Sequence, residues 1–232
     1  MINDLTPFSE NSIVGYRLIN AKFPPIAIFE DVAGPEEYEA LYEIQALTNP
    51  RLKAEVGDLS FLPKEEIPFG IVGCGYSTAP FTHINPDGSR FSDGSFGLLY
   101  AGSCVDTAVK EVKYHQHLLW SNVPDLNFDR MVFKCLETTF GIENGLDASH
   151  LPNNDPIYNP NGYAASRPLG IEIKSNGNLD ALRYNSVRNP GAACYALFTP
   201  RPVQSMIQSA HYEMIWGESS IRAVVPLGKG LF

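Results

Sequence analysis

The hydrophobic and polar positions of the chain follow the two-residue period of strands in several short segments. Alternation rich in β-branched and aromatic residues predicts strands over Ser12–Ile19, Phe96–Ala101 and Arg130–Phe140. A turn then leads into a strand predicted over residues 192–198, and we expect Arg222–Leu227 to close the sheet. The pattern therefore predicts a chain organised around β-structure.

Two segments follow the helical period instead. Gly34-Pro35-Glu36-Glu37 is typical of a helix start and predicts a helix over residues 35–48. A second helix is predicted from Cys104 to Trp120, with Ser103 as its cap and Asp106 as the acid of a capping box. The positions that share one face of this helix, and that we expect to be buried, are Val105, Ala108, Val109, Val112 and Leu119.

Two further segments have no regular period and contain many Gly, Pro and Asn residues. Residues 52–87 are predicted as loops around one short strand at Phe69–Cys74. Residues 141–168 are predicted as a long loop, with the length of a flap over a site. Short strands combined with few helices indicate an α+β fold in a single domain, with mixed short-strand β-sheets.

The composition is that of an ordinary globular domain, with 44% hydrophobic and 19% charged residues among 232. Acidic residues outnumber basic ones by 26 to 17, which gives a formal net charge of −9. Such a surface repels phosphate polymers on average, and no run of Lys or Arg offsets this repulsion. We therefore expect no direct binding of nucleic acid.

The four cysteines lie far apart in the sequence, and none forms a CxxC pair or a close pair with histidine. We therefore expect neither a metal site nor a framework of disulfides. The opening MINDLTPFSE lacks the basic and then apolar stretch of a signal peptide, and no apolar run reaches the ~18 residues of a membrane helix. These features predict a cytoplasmic protein with no membrane contact.

The segment Asp87–Leu119 contains the strongest candidates for chemistry, because it places Arg90, Tyr100 and Glu111 across a predicted strand, turn and helix. A guanidinium can bind a pyrophosphate, and an aromatic ring can stack on a nicotinamide. A carboxylate can face the sugar carbon at which positive charge develops during cleavage. Each residue alone also fits a structural role, as a surface arginine, a packed tyrosine or a solvated glutamate.

Three other patterns give no chemistry of their own. Ser186 has no GxSxG surroundings, which argues against a serine hydrolase. His115 and His117 point to different faces of a helix, which argues against joint ligation of a metal. We expect His115 to pack near Glu111 and His117 to lie in solvent. No GxGxxG follows a strand and opens a helix, so a Rossmann site is excluded.

Two motifs occur in a fixed order, NPDGSRFSDGSFGLLYAG followed by TAVKEVKYH, and YNSVRNPGAACYALFTPRPV nearer the C-terminus. Together with PEEYEALYEIQALTNPRL, they make the chain resemble the RES-domain family, toxins of RES–Xre toxin–antitoxin pairs. The Arg, Glu and Ser for which the family is named fall on Arg90, Glu111 and Ser186. Tyr100 stands at the position of the family's active-site tyrosine, and Arg17 matches an early arginine of the family.

The resemblance implies an enzyme that uses NAD+ as its substrate and needs no metal. The implied fold is similar to the ADP-ribosyltransferase core, with residues 1–80 as its N-terminal part and residues 81–232 as the RES catalytic core of one continuous domain. The implied activity is that of a toxin that cleaves the nicotinamide–ribose bond and depletes cellular NAD+, by hydrolysis or phosphorolysis. An ADP-ribosyltransferase acting on a specific protein and a catalytically silent RES-like binding module stay open as alternatives.

The resemblance also implies a role for each matching residue. Glu111 would stabilise the positive charge on the ribose, and Arg90 with Arg17 would bind the pyrophosphate. Tyr100 would stack on the nicotinamide or position it, and Ser186 would donate a hydrogen bond to a phosphate or the ribose. The implied partner is an Xre-type helix-turn-helix antitoxin, and a homodimer is left open. The sequence does not specify whether water, phosphate or a protein accepts the ADP-ribosyl group.

Overall fold

The computed structural model describes residues 2–23 and 57–228 and, between these ranges, only Gly34, Glu36, Glu37, Ala40 and Glu43. The helix predicted over residues 35–48 therefore lies outside the described residues except at four positions. The two long described ranges contain all of the residues from which the site below is built.

Within these ranges, seven strands form one mixed sheet accompanied by three α-helices, which confirms the predicted α+β class. The strands are β1 Thr6–Asn20, β2 Leu99–Gly102, β3 Phe128–Asp147, β4 Ala181–Asn185, β5 Ala193–Leu197, β6 Val203–Gly217 and β7 Ser220–Leu227. The helices are α1 Cys74–Thr82, α2 Val105–Ser121 and α3 Ser166–Asn176, with short 3₁₀ turns at Ile2–Asp4, Leu59–Phe61, Lys64–Glu66 and Pro156–Tyr158. Among the described residues, no helix is long and apolar enough to cross a membrane.

The strand order β1-β2-β5-β4-β3-β6-β7 is closed by an additional pairing of β1 with β3. The β3–β4 pairing is parallel, and the other pairings are antiparallel. Strand β1 pairs with β3 along most of its length but meets β2 at a single position, Tyr16 opposite Gly102. Because β2 pairs with β1 only at its last residue, the two strands leave room for a cleft between them.

Helix α2 packs against the sheet through a core that centres on two tryptophans, Trp120 and Trp216, whose ring centroids lie 5.7 Å apart. The indole of Trp120 donates a hydrogen bond to the carboxylate of Asp129 at 2.7 Å, and that of Trp216 donates to the carbonyl of Leu126 at 3.0 Å. Burying an aromatic side chain of this size contributes roughly 2–3 kcal/mol. This core fixes the C-terminal half of α2 and, with it, the direction in which Glu111 projects.

Five of the predicted strands are confirmed, within β1, β2, β3, β5 and β7. Strand β3 runs on to Asp147, so the loop predicted to start at residue 141 begins only after that residue. The reason is long-range pairing, because residue 142 and residues 145–147 pair with β1, and residues 145–147 also pair with β4. Neither β4 nor β6 was predicted from the sequence pattern.

The strand predicted at Phe69–Cys74 is wrong, since this segment forms turns that lead into α1. Gly73 caps the helix with φ +79°, a conformation that favours glycine, and a Cβ there would lie 1.9 Å from the carbonyl oxygen of Met206. The apolar side chains that suggested a strand, Phe69 and Ile71, pack against the main core from these turns. An apolar run alone cannot distinguish the two structures.

Helix α2 is confirmed, but two details of its prediction are wrong. Cys104 is the N-cap without a side-chain hydrogen bond, while the backbone N–H of Ser103 donates to Ala193 in the sheet. The predicted cap acid, Asp106, instead forms an ion pair with Lys110. The buried stripe is also rotated, because Leu119 is 65% exposed whereas Ala108, Gln116 and Trp120 are buried.

Candidate active site

A cavity of about 650 Å³ lies between β1, β2 and α2 and is bounded by the loops before β2, before α3 and after β4. This volume is in the range that binds cofactor-sized molecules. Four of the five predicted site residues line it, namely Arg17, Arg90, Tyr100 and Glu111. The structure therefore brings together side chains that come from a strand, a loop, a second strand and a helix.

Glu111 projects from the middle of α2, and its Oε1 accepts a hydrogen bond of 2.6 Å from the hydroxyl of Ser186. The same hydroxyl oxygen accepts the backbone N–H groups of Arg188 at 3.3 Å and of Asn189 at 3.0 Å. Ser186 is buried and is not among the residues that line the cavity. Its hydrogen-bonding capacity is thus used to orient Glu111 and to shape the turn after β4, rather than turned toward the cavity.

Asn189 connects this turn to the helix that carries Glu111, a role not predicted from the sequence. Its side-chain amide donates to the hydroxyl of Thr107 at 2.8 Å, and its carbonyl oxygen accepts from Lys110 at 2.9 Å. The turn and α2 are therefore joined at two points in addition to the Ser186–Glu111 hydrogen bond. The sequence Asn189-Pro190-Gly191 predicts a turn before the strand at residues 192–198, but it does not indicate what the turn contacts.

Cys194 also adjoins the carboxylate, with its sulfur 4.0 Å from Oε1 of Glu111. Burial, together with the nearby charge of Glu111, raises the pKa of the Cys194 thiol to about 12. The thiol consequently stays protonated at neutral pH and is a poor nucleophile. The carboxylate of Glu111, and not the Cys194 thiol, is therefore the group here that suits interaction with a developing positive charge.

Arg90 is buried in the wall of the cavity, where one nitrogen, Nη1, donates to the carbonyls of Ile157 at 2.9 Å and Asn159 at 3.2 Å. Its guanidinium also lies over the ring of Tyr163, 4.9 Å from the centroid. Nε and Nη2 make no hydrogen bond within the described part of the chain. The guanidinium is thus fixed through one nitrogen, and its other donors are available to an anion.

The hydroxyl of Tyr100 is used to hold the loop that carries Arg90. It accepts the backbone N–H of Phe91 at 3.1 Å and shares a hydrogen bond of 2.8 Å with the hydroxyl of Ser89. Burial raises the pKa of Tyr100 to about 12, so the hydroxyl stays protonated. The two bonded residues flank Arg90, and the polar end of Tyr100 therefore fixes the backbone there, while Tyr100 is also one of the residues that line the cavity.

Arg17, on β1, lies beside the same tyrosine, and its Nη1 donates to the backbone carbonyl of Tyr100 at 3.3 Å. Burial without a carboxylate partner among the described residues lowers the pKa of Arg17 to about 10. The group is still charged at neutral pH. A half-buried guanidinium that has no carboxylate partner in this part of the chain favours binding of an anion, because the ligand would then supply the missing charge.

Two further arginines line the cavity and were not predicted. Arg167, at the start of α3, donates to the carbonyls of Asp87 at 2.6 Å and Ser89 at 3.1 Å, which ties α3 to the Arg90 loop. Arg188 lies over the ring of Tyr114, 3.2 Å from its centroid. Four guanidinium groups thus surround one cavity in a chain whose net charge is −9. Their concentration at this place indicates a site for an anionic ligand.

The two histidines of α2 lie in different surroundings. His115 lines the cavity with Glu111, one helical turn away, as expected. His117 does not lie free in solvent as predicted, because its ring packs against Trp216 with centroids 5.4 Å apart. Within the described ranges, no cluster of three or more His, Cys, Asp or Glu side chains is arranged to hold a metal ion.

A sequence model of the RES domain family matches residues 67–217, well over half of the chain, so the protein belongs to that family. The matched range includes Arg90, Tyr100, Glu111 and Ser186, whereas Arg17 precedes it. The chain is also similar to an uncharacterized protein, y4oC, of Sinorhizobium fredii (strain NBRC 101917 / NGR234). The two are 28% identical over 209 residues, which cover 89% of this chain and 84% of that protein.

Proposed function

We propose that the protein binds NAD+ in the 650 Å³ cavity and cleaves the bond between nicotinamide and ribose. The observation that carries this proposal is the placement of Glu111, oriented by Ser186, in the wall of a cavity that four arginines also line. A dinucleotide such as NAD+ has one feature that matches the arginines and one that matches the carboxylate. Its pyrophosphate is an anion, and its ribose carbon becomes positively charged as the bond to nicotinamide breaks.

The chemistry requires only one carboxylate. Glycosidases need a second one to protonate an alkoxide leaving group. Nicotinamide, in contrast, is bound to the ribose as a cation and leaves as a neutral base, so no proton has to be donated to it. Glu111 would stabilise the oxocarbenium-like transition state electrostatically, a role for which one preorganised group can contribute roughly 3–4 kcal/mol.

The remaining residues would bind and orient the dinucleotide. Arg90 and Arg17 would donate to the pyrophosphate with the guanidinium nitrogens that make no hydrogen bond within residues 2–23 and 57–228. The ring of Tyr100, held by its hydroxyl, would stack against the nicotinamide or limit its position. Ser186 would act on the substrate through Glu111, because its hydroxyl already donates to that carboxylate.

An activity of this kind would deplete NAD+ in the cell that makes the protein. The chain would then be the toxin of a toxin–antitoxin pair, active in the cytoplasm, and an Xre-type helix-turn-helix antitoxin is the proposed partner. Transfer of ADP-ribose to a protein uses the same first bond cleavage and differs only in the acceptor. The experiment must therefore identify both products of the cleavage.

Purified protein incubated with NAD+ should release free nicotinamide together with ADP-ribose or its phosphate, both measurable by chromatography. Glu111→Gln should lower kcat by at least about 10²–10³-fold. Its melting temperature should stay close to that of the wild type, because the amide oxygen can still accept the Ser186 hydroxyl. Glu218→Gln, which removes the same charge from an exposed turn between β6 and β7, is the matched control and should be fully active.

Two results would contradict the proposal. Full activity of Glu111→Gln would show that the carboxylate has no part in the reaction. Tight binding of NAD+ by the wild type without release of nicotinamide would identify a silent binding module instead. If the label of adenine-labelled NAD+ appeared on an added protein while nicotinamide was released, the cleavage would be confirmed and the acceptor would be that protein.

A further inference from the structure

His115 is a basic side chain in the cavity for which the mechanism above has no use. It follows Glu111 by four positions on α2, and residues at this spacing project from the same face of a helix with Cβ atoms roughly 5–6 Å apart. Both side chains line the cavity. The ring of Tyr114 contacts the imidazole edge-on, with centroids 5.3 Å apart, which restricts its orientation.

The groups around the imidazole come from several elements. On its own helix these are Glu111 and Tyr114, while Arg90 comes from the loop before β2 and Arg188 from the turn after β4. Tyr163, from the loop before α3, lines the same cavity. Partial desolvation at the cavity wall, aided by the two arginines, lowers the pKa of His115 below its ordinary 6.5, against the opposing charge of Glu111. The ring is therefore neutral at pH 7 and carries a nitrogen lone pair.

The position is also open enough for proton exchange. His115 is an exposed residue of the cavity wall rather than a core residue, so a proton that it takes up can pass to solvent. The carboxylate of Glu111, one turn away, would stabilise the imidazolium formed in between. A neutral base with a nearby anion and a route to water has the properties of a general base that works at neutral pH.

We propose that His115 is a catalytic residue that deprotonates the water attacking the ribose carbon, an inference that rests on the proposed function. The water oxygen forms a bond to C1 of the nicotinamide ribose as the bond from C1 to the ring nitrogen breaks. The electron pair of the broken bond neutralises the nicotinamide, and the water proton passes to the imidazole and then to solvent. NAD+ and water thus give nicotinamide, ADP-ribose and one proton, with no other reactant.

The test compares His115→Gln with His117→Gln, which makes the same change two positions further on α2, at a ring that packs on Trp216 outside the cavity. We expect His115→Gln to lower kcat for hydrolysis by about 10²-fold, the lower end of the contribution of a general base, with KM within about twofold. His117→Gln should keep the wild-type kcat. The acid limb of the wild-type kcat/KM–pH profile, which reflects protonation of His115 in the free enzyme below pH 6.5, should be absent in His115→Gln.

Rescue by azide distinguishes a general base from a residue that only supports the fold. It is an anionic nucleophile that needs no base, so saturating azide should restore nicotinamide release by His115→Gln to within about threefold of the wild type. Release by Glu111→Gln should not be restored. Wild-type kcat in His115→Gln, or a loss that azide does not reverse, would overturn this inference alone. Absence of nicotinamide release by the wild type would overturn the proposed function, and this inference with it.

Discussion

Glu111 and Arg90 are charged residues that line the same cavity, but they are held in place by different means. Glu111 projects from the middle of a 17-residue helix, and one short hydrogen bond from Ser186 orients its carboxylate. Arg90 lies in an irregular loop, where its guanidinium depends on two carbonyls of another loop and on the ring of Tyr163. The carboxylate is therefore positioned by secondary structure, and the guanidinium by tertiary contacts.

This difference separates the chemical step from binding. A change beside Glu111 leaves the helix in place and alters only the direction or the charge of the carboxylate. A change beside Arg90 alters the loop that holds it, and with it the geometry that an anion meets. We therefore expect variants at the helix side to act mainly on kcat and variants at the loop side mainly on KM, a division that kinetics can measure.

The largest effect on the loop side is expected from Arg90→Ala. The change removes a positive charge and leaves the carbonyls of Ile157 and Asn159 without their donor. A hydrogen bond to a charged group contributes roughly 1.5–3 kcal/mol, so KM for NAD+ should rise by about ten- to a hundredfold. Initial rates of nicotinamide release over a range of NAD+ concentrations measure this effect, and kcat should change much less.

Arg90→Lys is the matched control for the charge. Lysine keeps the positive charge but loses the planar fork that reaches two carbonyls and an anion at once. We expect it to recover only part of the lost affinity. A lysine variant with wild-type KM would show that only the charge matters at this position. The geometry of the loop around Arg90 would then not determine KM.

The next largest effect is expected from Ser186→Ala, which removes the hydroxyl that orients Glu111 on the helix. Glu111 loses the donor that orients it, and two backbone N–H groups lose their common acceptor. We expect kcat to fall by about tenfold and the free energy of unfolding to fall by roughly 1–3 kcal/mol, the cost of unpaired buried donors. Denaturant titration and steady-state kinetics measure the two effects separately.

Ser186→Thr distinguishes orientation from general damage, because threonine retains the hydroxyl. It should recover most of kcat if the hydrogen bond to Glu111 is what matters. A Ser186→Ala variant that raised KM with kcat unchanged would instead support the role first predicted for this residue, a direct hydrogen bond to the substrate.

The difference between local sequence patterns and long-range contacts also explains how much of the fold was predictable. Helix α2 and five strands have local periods that can be recognised in the sequence. Strand β4 and the last part of β3 form where they do because of pairing between distant segments, which no local pattern contains. The turns of residues 69–73 show the converse, since an apolar run there packs against the core without forming a strand.

The sequence motifs predicted which residues belong to the candidate site, but they did not predict the contacts that determine what each residue does. The resemblance supplied Arg90, Tyr100, Glu111, Ser186 and Arg17, four of which share the cavity wall. It could not show that Ser186 donates to Glu111, since the two lie 75 residues apart. Nor could it supply Arg167 and Arg188, whose positions follow from how the loops fold over the cavity.

The smallest expected effect is that of Tyr100→Phe, which removes only the hydroxyl. The ring stays in the cavity wall, so any stacking on nicotinamide is retained and kcat should be nearly unchanged. Phe91 loses the acceptor of its backbone N–H, and the loop beside Arg90 loosens at a cost of about 1 kcal/mol, which predicts a three- to fivefold rise in KM. Tyr195→Phe, at a buried tyrosine of β5, is the control and should leave KM unaltered. An unchanged KM in Tyr100→Phe would mean that carbonyl contacts and Tyr163 suffice to hold Arg90, whereas a fall in kcat would assign the hydroxyl to the chemical step.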